Sequence, residues 1–419
     1  MNPQPFEIPP RSWMSRLTPR FVDRSTHWRN RELRLQGIES IDVTGGDIVA
    51  GALQTGSGVL LISNHSYHYD SYAMIEAGRR SGWYPHIMTA WQVFTLYGRV
   101  GQWFLQKHGC FSINREGTDK QAIRHSVSVL TRGMDPLLIY PEGDIYHSND
   151  RVMPFREGAA SIALMAQRKQ ERPVLIIPCA MKCFYTRSPE QELHRMMDQL
   201  EAHIGWRPDS GRTLLDRIYR FGNGFLALKE VEYLGEARGG TMRERISFLA
   251  NAILTQVRDR HQVPPRGKDL TERIRFLRIH LIGLSDQLRA DEKKLSPSEK
   301  ERQSARLQAD MQDLFFVTQL SSYHGDYSAE APTMERMAET IDKFEEDVFA
   351  LQSPTPRGKR VACVRFGKPV ELSHETASAA TLTVRLEQSV QELLNSISRP
   401  APPSASNRNS LAVRKLRTN

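Results

Sequence analysis

Between residues 58 and 185, short apolar runs alternate with stretches of helical spacing. The runs at 58–63, 109–113, 137–140 and 174–180 have strand length and predict β-strands. Residues around 69–80, 119–132 and 157–170 repeat their apolar positions at helical spacing and predict α-helices. Strands that alternate with helices predict an α/β fold, a mostly parallel sheet sandwiched by helices. Two later stretches, 228–235 (LKEVEYLG) and 361–372 (VACVRFGKPVEL), are each candidates to close that sheet. The pattern does not choose between them.

From 241 to 352 the pattern is helical. Thr241-x-x-Glu244 reads as a capping box ahead of the stripe Ile246, Leu249, Ile253, Leu254, Val257. Leu270, Ile274, Leu277, Leu281, Leu284 and Leu288 form a second stripe. A second box, Ser296-Pro297-Ser298-Glu299, places Pro where its missing N–H costs nothing. Met334, Met337, Ile341, Phe344, Val348 and Leu351 make a third seam. Short seams joined by turns predict an antiparallel bundle, and its stripes are assigned core packing and no chemistry. The expected organisation is a basic arm (1–36), an α/β domain (37–236), an added helical bundle region (237–358), a returning strand and helix (359–398) and a disordered basic tail (399–419).

Composition adds limits. The chain has 419 residues, 39% hydrophobic and 25% charged, enough for a substantial core. Its longest apolar runs, such as Val59–Ile62 and Val174–Ile177, fall far short of the roughly 18 residues of a membrane span. No secretory signal is expected. Cys110, Cys179, Cys183 and Cys363 are expected to be buried thiols in an intracellular protein, without a disulfide framework. A net charge of +9 points to phosphate-bearing partners: nucleic acid, anionic lipid or a phosphorylated substrate. No nucleic-acid motif is present, so none is expected as a partner. In the arm, seven arginines from Arg11 to Arg34 interleave with Trp13, Phe21 and Trp28. That composition fits a membrane interface or a solvated arm packed on the domain, and both readings stay open.

The chemistry concentrates at residues 61–70, LISNHSYHYD. A metal site would use His65, His68 and Asp70, but a further ligand must come from elsewhere, with His147 the one obvious candidate; no metal is expected. A base held by a carboxylate fits better. A neutral imidazole can take a proton from a hydroxyl near pH 7, and a carboxylate on its other nitrogen fixes the tautomer. On one regular helix, residues five apart lie about 140° apart. His65 must therefore sit in the turn before a helix that contains Asp70. A wet loop without a role is the bland alternative.

Asn64-His65-x4-Asp70 resembles the first block, HX4D, of the glycerolphosphate and lysophosphatidic acid acyltransferases. Gly109–Arg115 is similar to their second block, G-x-x-F-I-x-R. Tyr140-Pro141-Glu142-Gly143 is similar to the third, followed by Pro154-Phe155-Arg156-Glu157-Gly158-Ala159, and Val174–Pro178 resembles the fourth. The resemblance covers roughly residues 33–185. It implies a base, His65, oriented by Asp70, that activates an acceptor hydroxyl for attack on an acyl thioester of coenzyme A or acyl carrier protein, with no cofactor. It also implies that Arg115 binds the acceptor phosphate, that Glu142 and Gly143 position the glycerol part beside Pro141 and Asn64, and that Pro178 shapes the wall. A lysophospholipid acceptor, 1-acyl-glycerol-3-phosphate above others, and peripheral attachment to the inner face of a membrane, on the cytoplasmic side, follow from the same resemblance. Interfacial contact is expected from the arm, from residues such as Trp91, Phe94, Trp103 and Phe104, or from the helical region. One departure is visible. Where the third block usually continues Thr-Arg-Ser, this chain has Asp144-Ile145-Tyr146, which removes a cation and adds an acid. Acyl transfer to another lyso-lipid, thioester hydrolysis, and a non-catalytic binding protein on the same scaffold are the alternatives.

Overall fold

The computed structural model describes residues 11–115, 119–267, 269–290, 295–323, 325–372 and 378–400. The expected disordered tail therefore lies outside the described residues from 401 onward, as do the first ten residues of the arm. The chain enters through α1 (Pro19–Arg24), α2 (Thr26–Leu35), β1 (Ile38–Thr44), α3 (Gly46–Gln54) and β2 (Gly58–Ser63). Helix α4 (Asp70–Ser81), strand β3 (His86–Ala90), helices α5 (Trp91–Leu96) and α6 (Gly98–Lys107) and strand β4 (Cys110–Ile113) follow. Next come α7 (Lys120–Arg132), β5 (Leu137–Ile139), α8 (Gly158–Gln167) and the long β6 (Val174–Tyr185). A helical region holds α9 (Glu190–His203), α10 (Leu214–Leu234), α11 (Met242–Arg260), α12 (Leu270–Ala290), α13 (Pro297–Ser321), α14 (Tyr327–Glu330) and α15 (Met334–Phe349). The chain then returns through β7 (Arg360–Phe366), β8 (Val370–Glu371) and α16 (Ala379–Ser396).

The sheet runs β1-β7-β6-β2-β5-β3-β4, with β8 also beside β6. Strands β6, β2, β5, β3 and β4 are mutually parallel, and β7 is antiparallel to β6 and parallel to β1. Every residue of β2 is buried, as a strand covered on both faces requires. Val59 and Leu61 join the core on one face, and Leu60 and Ile62 the core on the other. The expected α/β sandwich with added helices is the architecture present.

Several expectations change. The stretch 228–235 is not a strand but the end of the 21-residue α10, capped at its start by the Thr213 side chain. Local alternation there was outweighed by a longer helical period, so the strand that closes the sheet is β7, from the 361–372 candidate. Residues 11–36 pack on the domain, with an exposed outer side. Trp13 is buried and stacks on Phe94, its N–H donates to Ser112 Oγ at 2.8 Å, and Arg29 is fully buried beside Glu76. Trp91 and Phe94 are core residues and unavailable to a membrane.

In the helical region the first two stripes meet each other and the buried face of α13. The Thr241–Glu244 box forms in full, and Ser296 caps α13 through the Glu299 N–H. The third seam packs Met337, Ile341 and Phe344 against Leu193, Met197, Leu200 and Phe221 of α9 and α10. Packing thus groups α9 and α10 with the helical region, ahead of the boundary expected at 236. All four cysteines are buried and unpaired.

Candidate active site

The loops that leave the C-terminal ends of β2, β4 and β5 converge at one edge of the sheet, where open parallel sheets place their sites. β2 ends at Ser63, the loop crosses 64–69, and α4 begins at Asp70. Asp70 is therefore inside the helix and His65 in the turn before it, as the spacing required. Asp70 Oδ2 accepts from the N–H groups of Ser66 at 2.7 Å and Tyr67 at 2.9 Å and lies 3.1 Å from His65 Nδ1. Two backbone donors thus fix the carboxylate, and the carboxylate fixes the ring. The ring also stacks on Tyr140 at a centroid distance of 4.2 Å. Asp70 is 0% exposed and the His65 side chain 17% exposed, so the acid is sealed while its imidazole reaches solvent. Nε2 of His65 makes no hydrogen bond among the described residues.

Glu142 lies on the neighbouring loop. Its carboxylate accepts from the His65 N–H at 2.9 Å, which ties the 140–144 turn to the loop of His65. Burial drives that carboxyl well above the usual range, against the pull of the His65 N–H. Tyr140-Pro141-Glu142-Gly143 forms a turn closed by the Gly143 N–H on the Tyr140 carbonyl at 3.1 Å. Gly143 sits at φ +76, which strains any residue with a side chain, and a Cβ there would also have to displace the Arg156 guanidinium, 2.6 Å away. Arg115 reaches the same turn. It donates to the Gly143 carbonyl at 2.5 Å and lies 3.5 Å from Asp144, the acid that departs from the resembled pattern. Pro178 is buried inside β6 opposite Ile62, one position before the Ser63–Cys179 pair at the strand end. Lys182 is paired with Asp150 at 2.5 Å rather than directed at the site.

The Asn64 side chain is fully buried and bonds to β6. β6 extends beyond the last residue of β2, so its edge groups from Met181 onward have no neighbouring strand on that side. Asn64 supplies both bonds that a strand would: its Oδ1 accepts from the Met181 N–H at 2.8 Å and its Nδ2 donates to the Met181 carbonyl at 2.9 Å. Asn149 does the same for Cys183, with both bonds at 2.7 Å. At Tyr185 the N–H donates to Glu335 and the carbonyl accepts from Arg399.

Sequence reasoning missed the polar face of α15. Glu335, Glu339, Asp342 and Glu346 are buried: Glu339 and Glu346 meet the loop before α4 and the loop after β5, Glu335 meets Tyr185 and Arg399, and Asp342 pairs with Arg357. Glu339 accepts from the Tyr67 hydroxyl at 2.9 Å, the Tyr327 hydroxyl at 2.7 Å and the Asn149 N–H at 3.1 Å. Its burial lifts the carboxyl to about 8. Burial lowers Lys343 on the same helix to about 8. Glu346 lies 3.1 Å from His68 Nε2 and 3.0 Å from His147 Nε2. Burial raises its carboxyl, but the charge and hydrogen bonds of the two imidazoles outweigh that and hold it well below the usual range. The signal was available. These acids recur at spacings of four, three and four, a second stripe beside the apolar one.

A cavity of about 260 Å³ opens behind His147, among α10, α11, α13 and α15, with Phe225, Ile246, Phe316, Leu320 and Phe344 on its wall. Among the described residues, no helix is long and apolar enough to cross a membrane.

Residues 40–182 match the family model described as Acyltransferase. Over 108 residues the chain is 31% identical to the 1-acyl-sn-glycerol-3-phosphate acyltransferase of Streptococcus pneumoniae (strain ATCC BAA-255 / R6). That alignment spans 26% of this chain and 38% of the relative.

Proposed function

We propose that the chain, whose residues 40–182 match the Acyltransferase family model, moves a fatty acyl group from an acyl thioester, acyl-CoA or acyl-ACP, to the free hydroxyl of a lysophospholipid. The observation that carries this reading is the His65–Asp70 pair at 3.1 Å, with the acid sealed and the imidazole open. His65 Nε2 takes the acceptor's hydroxyl proton as the oxygen attacks the thioester carbonyl. Asp70, held by two backbone N–H groups, stabilises the imidazolium that forms. Collapse of the tetrahedral intermediate breaks the C–S bond, and the imidazolium returns its proton to the departing thiolate. Glu142 keeps the backbone of the base in place.

The favoured acceptor is 1-acyl-glycerol-3-phosphate, since a guanidinium fork at Arg115 suits phosphate oxygens. Asp144 beside Arg115 supports a second reading, a lyso-lipid whose phosphate is esterified to a headgroup, because a phosphate monoester dianion would have to compete with that acid. Membrane attachment is supported by α6, a helix with no buried residue, on which Tyr97 at its cap, Val100 and Trp103 are 64%, 78% and 45% exposed. Trp103 packs on Phe21 of α1, whose Arg20 and Arg24 are exposed, so aromatic and cationic groups share that surface. Peripheral binding to an anionic, cytoplasm-facing leaflet fits these features.

The test is thiol release from one long-chain acyl-CoA with a panel of lysolipids. Release that requires an acceptor and is lost in His65→Ala supports transfer. Release without acceptor means thioester hydrolysis, and full activity in His65→Ala ends the proposal.

A further inference from the structure

Two histidines near the site have no part in acyl transfer. His68 lies on the loop before α4 and His147 on the loop after β5, and both turn toward Glu346 of α15. We propose that His68, His147 and Glu346 bind a divalent transition-metal ion of the zinc type, which clamps α15 onto the two active-site loops. Sequence analysis expected no metal because the histidines lacked a further ligand. The fold supplies it from a helix about 200 positions further along the chain than His147.

The geometry fits such an ion. The three donor atoms all lie within 4.8 Å of one another. Zinc bonds of about 2.05 Å at tetrahedral angles set ligand atoms about 3.3 Å apart. The two histidine–glutamate edges measure 3.1 and 3.0 Å. The third edge lies within the same 4.8 Å, and His68 is the outermost ring, with 32% of its side chain exposed. Two imidazoles and one carboxylate are a borderline donor set that suits zinc and its neighbours and disfavours magnesium or calcium. Three protein ligands also leave a fourth position open.

A plain hydrogen-bonded network explains the cluster less well. His147 holds a left-handed backbone at φ 46, which a residue with a Cβ adopts only at a cost. Its Nδ1 is buried without a hydrogen-bond partner among the described residues. The loop accepts both penalties to direct Nε2 at Glu346. A single hydrogen bond to an already satisfied carboxylate is a small return for that, whereas a coordinate bond is not.

The experiment uses the full chain, stripped with a chelator and titrated with zinc or with cobalt(II), whose visible absorption reports tetrahedral imidazole–carboxylate ligation. One ion per chain is expected, with a melting temperature that rises with zinc concentration. Glu346→Gln and His68→Ala should each weaken binding by about 100-fold or more, as loss of one of three protein ligands implies. His147→Ala should do the same, and the other two variants keep the test decisive if it fails to fold. His65→Ala, which removes the base, should bind the ion as the native chain does, so this proposal and the acyl-transfer reading fail separately. Absence of uptake at micromolar zinc overturns the proposal, as does unchanged affinity in Glu346→Gln and His68→Ala.

Discussion

Asp70→Asn isolates the electrostatic part of the proposed mechanism. The substitution removes a negative charge 3.1 Å from His65 Nδ1 while leaving an oxygen for the Ser66 and Tyr67 N–H groups. Unit charges about 4 Å apart attract by about 4 kcal/mol at an effective dielectric of about 20. That interaction exists only once the imidazole is protonated, so its loss falls on the transition state and not on binding. At about 1.4 kcal/mol per decade, kcat should fall by about 10²–10³ with little change in either KM. The amide nitrogen would take the place of Oδ1, which is buried without a partner among the described residues. A buried donor left unmade costs about 1–3 kcal/mol, so a thermal melt has to accompany the rate. The assay is acceptor-dependent thiol release at saturating acyl-CoA. His65→Ala alone should cost about 10²–10⁴. The double variant should be no slower than His65→Ala by more than about threefold, because Asp70 acts through the ring alone. A folded Asp70→Asn within tenfold of native, or losses that multiply fully in the double variant, would refute the general-base account.

Other consequences reach different parts of the molecule. Arg115→Ala should raise KM for a phosphorylated acceptor by about tenfold or more and leave the donor KM unchanged, and Asp144→Asn should lower that acceptor KM; steady-state kinetics across the lysolipid panel reads both. Asn149→Ala strands the Cys183 N–H and carbonyl and should cost about 2–5 kcal/mol of stability in a denaturant titration. Glu339 binds its proton more tightly when folded, so its contribution is complete below pH 4.5 and is lost as pH rises toward about 8. Lys343, lowered to about 8, changes its contribution only above that pH, so the two windows do not overlap. The stability of Glu339→Gln relative to the native chain should therefore rise between pH 5 and 8, and a flat difference in paired urea titrations would count against a protonated buried glutamate.

Much of this was legible because it is local. β2 and β6 announce themselves as apolar runs, and the His65–Asp70 geometry follows from helix angles once the turn is placed. What escaped depends on partners distant in sequence. Asn64 fits a motif, yet its side chain serves as a surrogate strand for Met181, 117 positions away. Trp91 and Phe94 look like interfacial aromatics until the fold buries both and stacks Trp13 on Phe94. The 228–235 stretch shows that a short alternation cannot outweigh twenty residues of helical period. α15 was judged by its apolar seam alone. A helix with two buried stripes, one apolar and one acidic, is recognisable only when something is there to receive the acids.

The receiving surface explains why the helical region is there at all. β6 runs past the end of β2, and the groups at Met181, Cys183 and Tyr185 then need partners that no strand provides. Asn64 comes from the loop of the base, Asn149 from the loop after β5, and Glu335 with Arg399 from α15 and the end of the described chain. The same three segments meet again one layer up, where Glu339 binds Tyr67 and Asn149, and Glu346 meets His68 and His147. The contacts of Asn64, Asn149, Glu339 and Glu346 hold the loop of His65 and the loop after β5, and an unmade bond at Met181, Cys183 or Glu339 strands a buried polar group. The matched residues 40–182 thus build the His65–Asp70 arrangement themselves, with Glu142 and Arg115 from the same segment. What α15, outside those residues, adds is a partner for the Tyr185 N–H and the acids that meet Tyr67, Asn149, His68 and His147 on the flanking loops.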